Sequence, residues 1–269
     1  NANSVAEYVI YSFLKWIITK NIELKNINLG IIGFGNIGKL VAHYFRALNI
    51  NIYVNDPPLK DENFIFPDFV HYCELDEIFE KCNIITDHVP LTKSGKYPTE
   101  GLITNKLLSK LRDNALLIHA SRGGIIIESD LLNIIKEKKL STAIDVWENE
   151  PNFNSELANS SILATPHIAG YSYYGKLNGT LQVLQKIEEL ENINPKYEIL
   201  FEEMNKYRGN MKLAIDNYRD IFTLLNKNRN FEDDFAKMLE ASQLNKAEKQ
   251  AFFQEIRRNY PKRNETLII

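Results

Sequence analysis

Three side chains of complementary chemistry, Arg122, Glu150 and His167, occur in that order along one part of the chain. An arginine can hold a carboxylate by two parallel hydrogen bonds, and a histidine can take up or return a proton near neutral pH. A carboxylate beside the histidine keeps the imidazole in one tautomer. These residue types together are what the transfer of a hydride between a nicotinamide and a hydroxy acid requires.

Each of the three residues has a simpler interpretation when it is taken alone. Arg122 lies in Ser-Arg-Gly-Gly, which is typical of a solvated turn, and Glu150 precedes a proline, as in many exposed acidic turns. His167 follows a proline, and the chain has five histidines, most of which need no chemical role. We therefore base the hydride-transfer hypothesis on their order and on a glycine motif that precedes all three.

The glycine motif lies in the stretch 29–38, where a buried apolar strand is followed by Gly-x-Gly-x-x-Gly and then a helix. Gly33 permits a tight turn out of the strand, and Gly35 lets a pyrophosphate approach the backbone. Gly38 allows the helix to pack closely against the strand. A strand before the glycines and a helix after them predict a dinucleotide-binding β-α-β unit.

Two further features of this unit concern the cofactor. Asn36 and Ile37 are candidate contacts, because the N-terminus of the helix predicted at 39–48 offers free N–H groups to phosphates. Asp56 ends the next strand, 18 residues beyond Gly38, close to the ~20 expected for the acid that binds a ribose hydroxyl. Its carboxylate would repel a 2′-phosphate, so the sequence predicts NAD and disfavours NADP.

The rest of this part of the chain alternates between strand and helix patterns, which predicts an α/β fold, a Rossmann-type doubly wound parallel sheet. We predict a first β-α-β unit at 28–56, strands at 84–88, 115–119, 141–146 and 162–164, and helices at 75–81, 105–111, 129–137 and 176–191. The candidate residues all follow predicted strands. Because parallel strands end at one edge of the sheet, we expect these side chains to meet there.

An apolar helix is predicted near the start of the chain, at 5–20, from apolar residues at helical spacing. Ser4 with Glu7 three residues later has the form of a capping box, in which each side chain bonds the backbone N–H of the other residue. We therefore expect this helix to begin next to Ser4.

Composition excludes several classes of function. The chain has 269 residues, 44% of them hydrophobic, and a net charge of −3, so nothing indicates binding to nucleic acid or to an anionic membrane. Cys73 and Cys82 lack metal-ligand spacing and are expected to be reduced, and no metal site is predicted. With no secretory leader and no apolar run of membrane-spanning length, we expect a cytoplasmic protein.

Five motifs in register resemble the D-isomer-specific 2-hydroxyacid dehydrogenases. They are Gly-x-Gly-x-x-Gly, His-Val-Pro-Leu-Thr at 88–92, Ser-Arg-Gly-Gly at 121–124, Asp-Val-Trp-Glu-x-Glu-Pro at 145–151 and Pro-His-Ile-Ala-Gly at 166–170. Narrower features, among them Asp-Pro-Pro at 56–58 and the tail at 252–263, resemble a member of this family that acts in pyridoxal phosphate biosynthesis. That resemblance implies NAD-dependent oxidation of 4-phospho-D-erythronate at C2.

The resemblance also implies a role for each matching residue. Arg122 and Glu150 would be catalytic, and His167 would be the proton donor and acceptor. Tyr171 would touch the substrate, and Asp145 would face the nicotinamide amide. The remaining positions implied to line the cofactor are Val89, Ala120 and Gly170.

The family pattern divides the chain into four parts. It implies an interdomain helix at 1–22, an NAD-binding Rossmann domain at 23–170, a return helix at 171–192 and a smaller α+β C-terminal dimerisation domain at 193–269. The dimerisation domain implies a homodimer. The family's N-terminal substrate-binding lobe has no counterpart in this sequence. In family members that have the lobe, we expect the helices that correspond to 1–22 and 171–192 to pack against it.

Three positions depart from the family pattern, and two other functions stay open. His119 stands where asparagine is usual, Glu128 where aspartate is usual, and Asn178 where close relatives have a basic residue. The first alternative is a dehydrogenase for another D-2-hydroxy acid, such as glycerate. The second is a fragment or shortened relative that binds NAD without turnover, although the residues of the catalytic set are all present.

Overall fold

The computed structural model describes residues 1–192 and 197–269. Up to the last strand its elements are α1 (Ala2–Lys20), β1 (Asn28–Ile32), α2 (Asn36–Arg46), β2 (Asn51–Asn55), α3 (Pro57–Asp61), β3 (Val70–Tyr72), α4 (Leu75–Lys81), β4 (Ile84–Asp87), α5 (Asn105–Leu108), β5 (Leu116–His119), α6 (Glu128–Lys138), β6 (Ser141–Ile144), α7 (Ser155–Ser160) and β7 (Leu163–Ala164). The helices that follow are α8 (Tyr173–Glu191), α9 (Glu198–Asn205), α10 (Tyr218–Arg229), α11 (Phe231–Ala241) and α12 (Lys246–Arg258).

The seven strands form one parallel sheet in the order β3-β2-β1-β4-β5-β6-β7. The predicted doubly wound α/β sheet is therefore confirmed. The direction in which the chain winds reverses between β1 and β4, which pair directly from Leu29 with Ile84 to Ile32 with Asp87. At such a reversal the connections leave in opposite directions, so a crevice opens at the carboxyl ends of these two strands.

Several helices are longer than predicted, whereas the strands predicted at 84–88, 115–119, 141–146 and 162–164 and the helix predicted at 105–111 are shorter, and short elements are added. The helix after the glycines begins at Asn36, three residues before the predicted 39–48. The two prolines after Asp56 form the first turn of α3, where proline lacks only an N–H that would have no helical partner. The short β3 and α7 were not predicted, because each is too brief for hydrophobic periodicity to be recognised.

The predicted capping box at the start of α1 is wrong. The helix begins at Ala2 after Asn1, so Ser4 and Glu7 lie inside it and are fully buried. Glu7 instead accepts hydrogen bonds from the backbone N–H of Leu267 at 2.7 Å and from Arg229 Nη1 at 2.9 Å. A buried ion pair in the core therefore occupies what the spacing had suggested was a cap.

Helix α1 is buried almost all round within this chain. It packs against α2, α10 and β5, with the ring centroids of Phe13 and Phe45 4.9 Å apart and those of Tyr11 and Phe222 also 4.9 Å apart. The expectation that α1 needs a further lobe to cover it is therefore not met. By contrast, α8 leaves Val183 60% and Leu190 72% exposed.

The C-terminal helices α10, α11 and α12 contribute to the same hydrophobic clusters as the sheet. Phe253 of α12, for example, stacks on Phe153 at 5.9 Å. An isolated parallel bridge joins Met211 to Leu267, so this region is helical with one β contact among the residues described. The predicted start of the dimerisation domain, at 193, falls within 193–196, outside the described residues.

Candidate active site

Two adjoining cavities open at the carboxyl ends of the central strands, with volumes of about 310 and 500 Å³. His88, Val89 and Pro90 lie between them and line both. Among the predicted site residues, those lining the smaller cavity are Ile37, Val89, Ala120, Arg122, Asp145, His167, Gly170 and Tyr171, and those lining the larger are Gly33, Gly35, Asp56 and Val89. Asn36, Gly38 and Glu150 lie outside both linings.

At Gly33 and Gly38 a side chain would collide with the backbone, whereas Gly35 faces open space. Gly33 has a φ of +92°, and a Cβ there would lie 2.9 Å from the backbone of His88. A Cβ on Gly38 would lie 2.2 Å from the carbonyl oxygen of Gly33. Around Gly35 no atom lies within 4 Å of the Cβ position, so its backbone is open to a phosphate.

Asp56 ends β2 and forms part of the wall of the larger cavity. Its carboxylate accepts hydrogen bonds from the backbone N–H of Phe34 at 2.7 Å and of Leu59 at 3.1 Å. The first bond ties the acid to the glycine turn, and the second caps α3. The carboxylate is therefore fixed in orientation at the predicted ribose position.

His88 carries a buried polar atom with no hydrogen-bond partner among the described residues, its Nδ1. Its Nε2 lies 3.1 Å from Thr86 Oγ1. Burial lowers the pKa of His88 to about 4, so the ring is neutral at physiological pH. A buried polar atom in the wall of both cavities calls for a partner from a ligand or water. The unpartnered His88 Nδ1, the accessible backbone at Gly35 and the oriented carboxylate of Asp56 together fit a bound dinucleotide.

His167 and Glu150 form a hydrogen-bonded pair at the smaller cavity. His167 Nδ1 lies 2.8 and 3.1 Å from the two carboxylate oxygens of Glu150, and the side chains are 28% and 21% exposed. The backbone N–H of Trp147 donates to Glu150 at 3.1 Å and fixes the carboxylate. With Nδ1 engaged, Nε2 is the nitrogen left to exchange a proton with a substrate hydroxyl.

Asp145 positions the backbone that directly follows His167. His167 itself has a φ of +57°, a left-handed conformation that costs a non-glycine residue roughly 1–3 kcal/mol. One Asp145 oxygen accepts from the N–H of Ile168 at 2.8 Å and the other from that of Ala169 at 3.0 Å. Burial raises the pKa of Asp145. This anchoring is a function that the sequence did not indicate.

Arg122 follows β5 and lines the same cavity as His167. Its Nη1 donates to the carbonyl of Ser121 at 2.6 Å. A Cβ on the next residue, Gly123, would lie 1.8 Å from the carbonyl oxygen of Trp147, so glycine is needed for the two loops to touch. The Ser-Arg-Gly-Gly turn is therefore packed against the loop that carries Glu150.

The second acid of that loop, Glu148, is structural. Its carboxylate accepts from the N–H of Glu128, and the carboxylate of Glu128 accepts from the N–H of Glu148, at 2.9 and 2.8 Å. This reciprocal pair joins the start of α6 to the loop after β6. It also gives Glu128, a departure from the family pattern, a definite role.

A second histidine–carboxylate pair lies deeper in the sheet and was not predicted. His119 Nδ1 is 2.8 Å from Asp87, and the hydroxyl of Ser121 donates to the other Asp87 oxygen. Burial acts to raise the pKa of Asp87, but His119 and Ser121 outweigh it and hold that pKa below its usual value. Only the alignment of β4 with β5 places these residues together.

Comparison with known proteins places the chain in a sequence family. Residues 14–169 match the family described as D-isomer specific 2-hydroxyacid dehydrogenase, NAD binding domain. The erythronate-4-phosphate dehydrogenase of Wigglesworthia glossinidia brevipalpis is 43% identical over 188 residues, which are 70% of this chain and 48% of that protein. That of Hydrogenovibrio crunogenus is 41% identical over 195 residues, 72% of this chain and 50% of that protein. The chain thus spans about half the length of these curated relatives.

Solved structures share the fold. The NAD-dependent formate dehydrogenase of Staphylococcus aureus in complex with NAD superposes with a TM-score of 0.60 at 23% identity, over 72% of this chain and 64% of that one. An NAD-complexed D-isomer specific 2-hydroxyacid dehydrogenase of Lactobacillus delbrueckii ssp. bulgaricus gives 0.59 at 20% identity, over 73% and 69%. At these identities the likeness supports the fold.

Proposed function

The chain belongs to the D-isomer-specific 2-hydroxyacid dehydrogenases, with an NAD-binding domain of that family at 14–169, and from this premise we propose that it oxidises 4-phospho-D-erythronate at C2. The observation that carries the proposal is the His167–Glu150 pair, which lies at a cavity that Arg122 also lines. The names of the relatives supply the substrate. The residues assigned below belong to the same proposal.

The proton step is assigned to His167. Its Nε2 takes the C2 hydroxyl proton as the carbon–hydrogen bond breaks, and Glu150 stabilises the imidazolium that forms. Asp145 keeps the backbone around the histidine in place through the N–H groups of Ile168 and Ala169. NAD, when bound, supplies the acceptor for the hydride from C2.

Substrate binding is assigned to Arg122 and Tyr171. Arg122 holds the C1 carboxylate by charge-assisted hydrogen bonds, which orients C2 toward the nicotinamide. Tyr171 lines the same cavity, with its hydroxyl 3.4 Å from Arg257 Nη2. The adenosine end of NAD is assigned to the larger cavity, with Asp56 on the ribose hydroxyls and Gly33 and Gly35 beside the pyrophosphate.

The test measures NADH formation and NADH fluorescence in the same samples of the 269-residue chain, with NAD and either 4-phospho-D-erythronate or D-glycerate. Turnover of the phosphorylated acid alone supports the proposal. Preference for glycerate contradicts the substrate assignment. Cofactor binding without turnover of either acid contradicts the activity of this chain, and the effect of adding an N-terminal lobe then becomes the next measurement.

A homodimer and a cytoplasmic location are part of the proposal. Support for the homodimer comes from apolar side chains of α8 and α9 that are exposed in the single chain, among them Leu190 and Ile199. Sedimentation velocity would give the mass in solution. The cytoplasmic location is supported by Cys73 and Cys82, both buried free thiols. Among the described helices none is long and apolar enough to cross a membrane.

A further inference from the structure

Arg257 reaches the candidate active site from α12, far beyond residue 169, where the family match ends. Its Nη1 lies 3.8 Å from a carboxylate oxygen of Glu150, and its Nη2 donates to the hydroxyl of Tyr171 at 3.4 Å. The guanidinium thus lies between the acid of the histidine pair and the proposed substrate contact. Its side chain is 31% exposed, so solvent screens this charge only in part.

We propose that Arg257 is a positioning residue of the catalytic pair, which holds Glu150 and Tyr171 in place and tunes the proton affinity of His167. This inference rests on the proposed function of His167 as the base. The inference adds to that proposed function a role for the C-terminal helix α12 in positioning the catalytic pair.

Helix α12 is held firmly enough to deliver the guanidinium to one place. Phe253, one turn before Arg257, is fully buried and stacks on Phe153. Lys249 donates to the backbone carbonyl of Phe153 at 2.9 Å, which fixes the same face of the helix. Arg257 Nε is buried without a hydrogen-bond partner among the described residues, so the contacts above are made by the terminal nitrogens.

The carboxylate of Glu150 lies between the imidazole of His167 and the guanidinium of Arg257. It faces His167 Nδ1 at 2.8 Å and Arg257 Nη1 at 3.8 Å. Removing the guanidinium leaves the full negative charge to the imidazole, which favours the protonated ring. The titratable and charged groups that share this cavity with His167 or contact its acid are Glu150, Asp145, Arg122, Tyr171, His88, the α-amino group of Asn1, and Arg257 from α12.

The experiment is an NMR titration of His167 in the 269-residue chain, which has five histidines, with the signal assigned by loss in His167→Asn. It compares Arg257→Ala, the charge-conserving Arg257→Lys, and Arg258→Ala, the exposed neighbour on the same helix. We expect Arg257→Ala to raise the midpoint of the His167 titration by about half a pH unit, as loss of a nearby cation should. Arg257→Lys should shift it less, and Arg258→Ala not at all.

An unchanged midpoint in Arg257→Ala, with the circular dichroism spectrum and melting temperature preserved, would overturn the proposal. An equal shift in Arg258→Ala would overturn it too, since the effect would then be general. Unfolding of Arg257→Ala would leave the decision to Arg257→Gln, which keeps a polar side chain and removes the charge. Its His167 midpoint must rise, and an unchanged midpoint in folded Arg257→Gln would overturn the proposal. Because the titration needs neither cofactor nor turnover, it can fail independently of the proposed activity.

Discussion

Two histidine–carboxylate pairs in this protein share one geometry and differ in surroundings. In each pair a histidine Nδ1 lies 2.8 Å from a carboxylate oxygen, His167 with Glu150 and His119 with Asp87. The first pair is 28% and 21% exposed, whereas the second is 4% and 0% exposed. The bond between histidine and acid therefore does not by itself distinguish a site of chemistry from a structural contact.

The difference lies in what surrounds each imidazole. His167 lines a cavity, and Asp145 holds the backbone after it. His119 lies at the end of a central strand, and the Ser121 hydroxyl occupies the other oxygen of Asp87. A histidine–acid pair can transfer protons to a substrate only where its second nitrogen can reach one. The buried pair instead fastens β4 to β5.

The largest expected effect separates the two histidines by activity. His167→Asn should lower turnover roughly 10³-fold, in the range typical of a general base, because no group remains to take the hydroxyl proton. The matched variant His119→Asn, which restores the residue usual in the family, should keep turnover within a few-fold. NADH formation measures both, and NADH fluorescence should show cofactor binding in each. Equal losses of turnover in His167→Asn and His119→Asn would contradict the assignment of one histidine to catalysis and the other to structure.

In the second prediction the buried pair, and not the exposed one, has the larger effect, because stability is measured instead of activity. Asp87→Ala should lower the free energy of unfolding by ~3 kcal/mol, since it leaves His119 and Ser121 buried without their partner. Urea unfolding followed by circular dichroism measures this value. Glu150→Ala, at the more exposed pair, serves as the control and should cost less than half as much. A larger loss of unfolding free energy in Glu150→Ala than in Asp87→Ala would contradict the structural role assigned to the His119–Asp87 pair.

The third prediction concerns His88, which lies next to Asp87. Its pKa is 6.5 in a model peptide and about 4 when folded, so between these values the unfolded chain binds more protons. Stability should therefore fall as pH falls from about 6.5 to about 4, by up to roughly 3 kcal/mol. Urea titrations across this range should show a flatter profile for His88→Gln. An unchanged slope would mean that His88 does not titrate in this way.

The smallest expected effect tests the acid of the exposed pair. Glu150→Gln keeps the shape but removes the charge, so it should lower turnover by roughly 10- to 100-fold, the cost typical of losing a group that orients a functional histidine. Cofactor affinity, measured by NADH fluorescence, should not change. A loss as large as that of His167→Asn would give Glu150 a role beyond orienting and stabilising the ring.

Local sequence was sufficient to predict the first strand, the glycine turn and the acid of the nucleotide-binding β-α-β unit. The glycine spacing, the strand before it and Asp56 after it are read within about 30 residues, and the backbone at Gly33 and Gly38 has the conformation and close approach that this spacing implies. Short elements without periodicity, such as β3, were missed because three residues carry no pattern.

The candidate site was predicted in part, for a similar reason. Arg122, Glu150 and His167 lie in recognisable motifs, and they meet because parallel strands end at one edge. The anchoring by Asp145 and the approach of Arg257 are absent from any local pattern. Glu7 shows how a local pattern misleads, because a spacing that suits a cap was used for a buried ion pair with Arg229.

The sequence by itself determined the α/β class, the glycine turn and the residue types available for proton and hydride transfer, because these depend on neighbours along the chain. Only the tertiary structure decided which histidine–acid pair faces a cavity and which is sealed between strands. It also decided that the C-terminal helices cover α1 and bring Arg257 to Glu150. The reason is physical: burial, and the partner of each buried charge, are set by residues up to 260 positions apart, which no local spacing encodes.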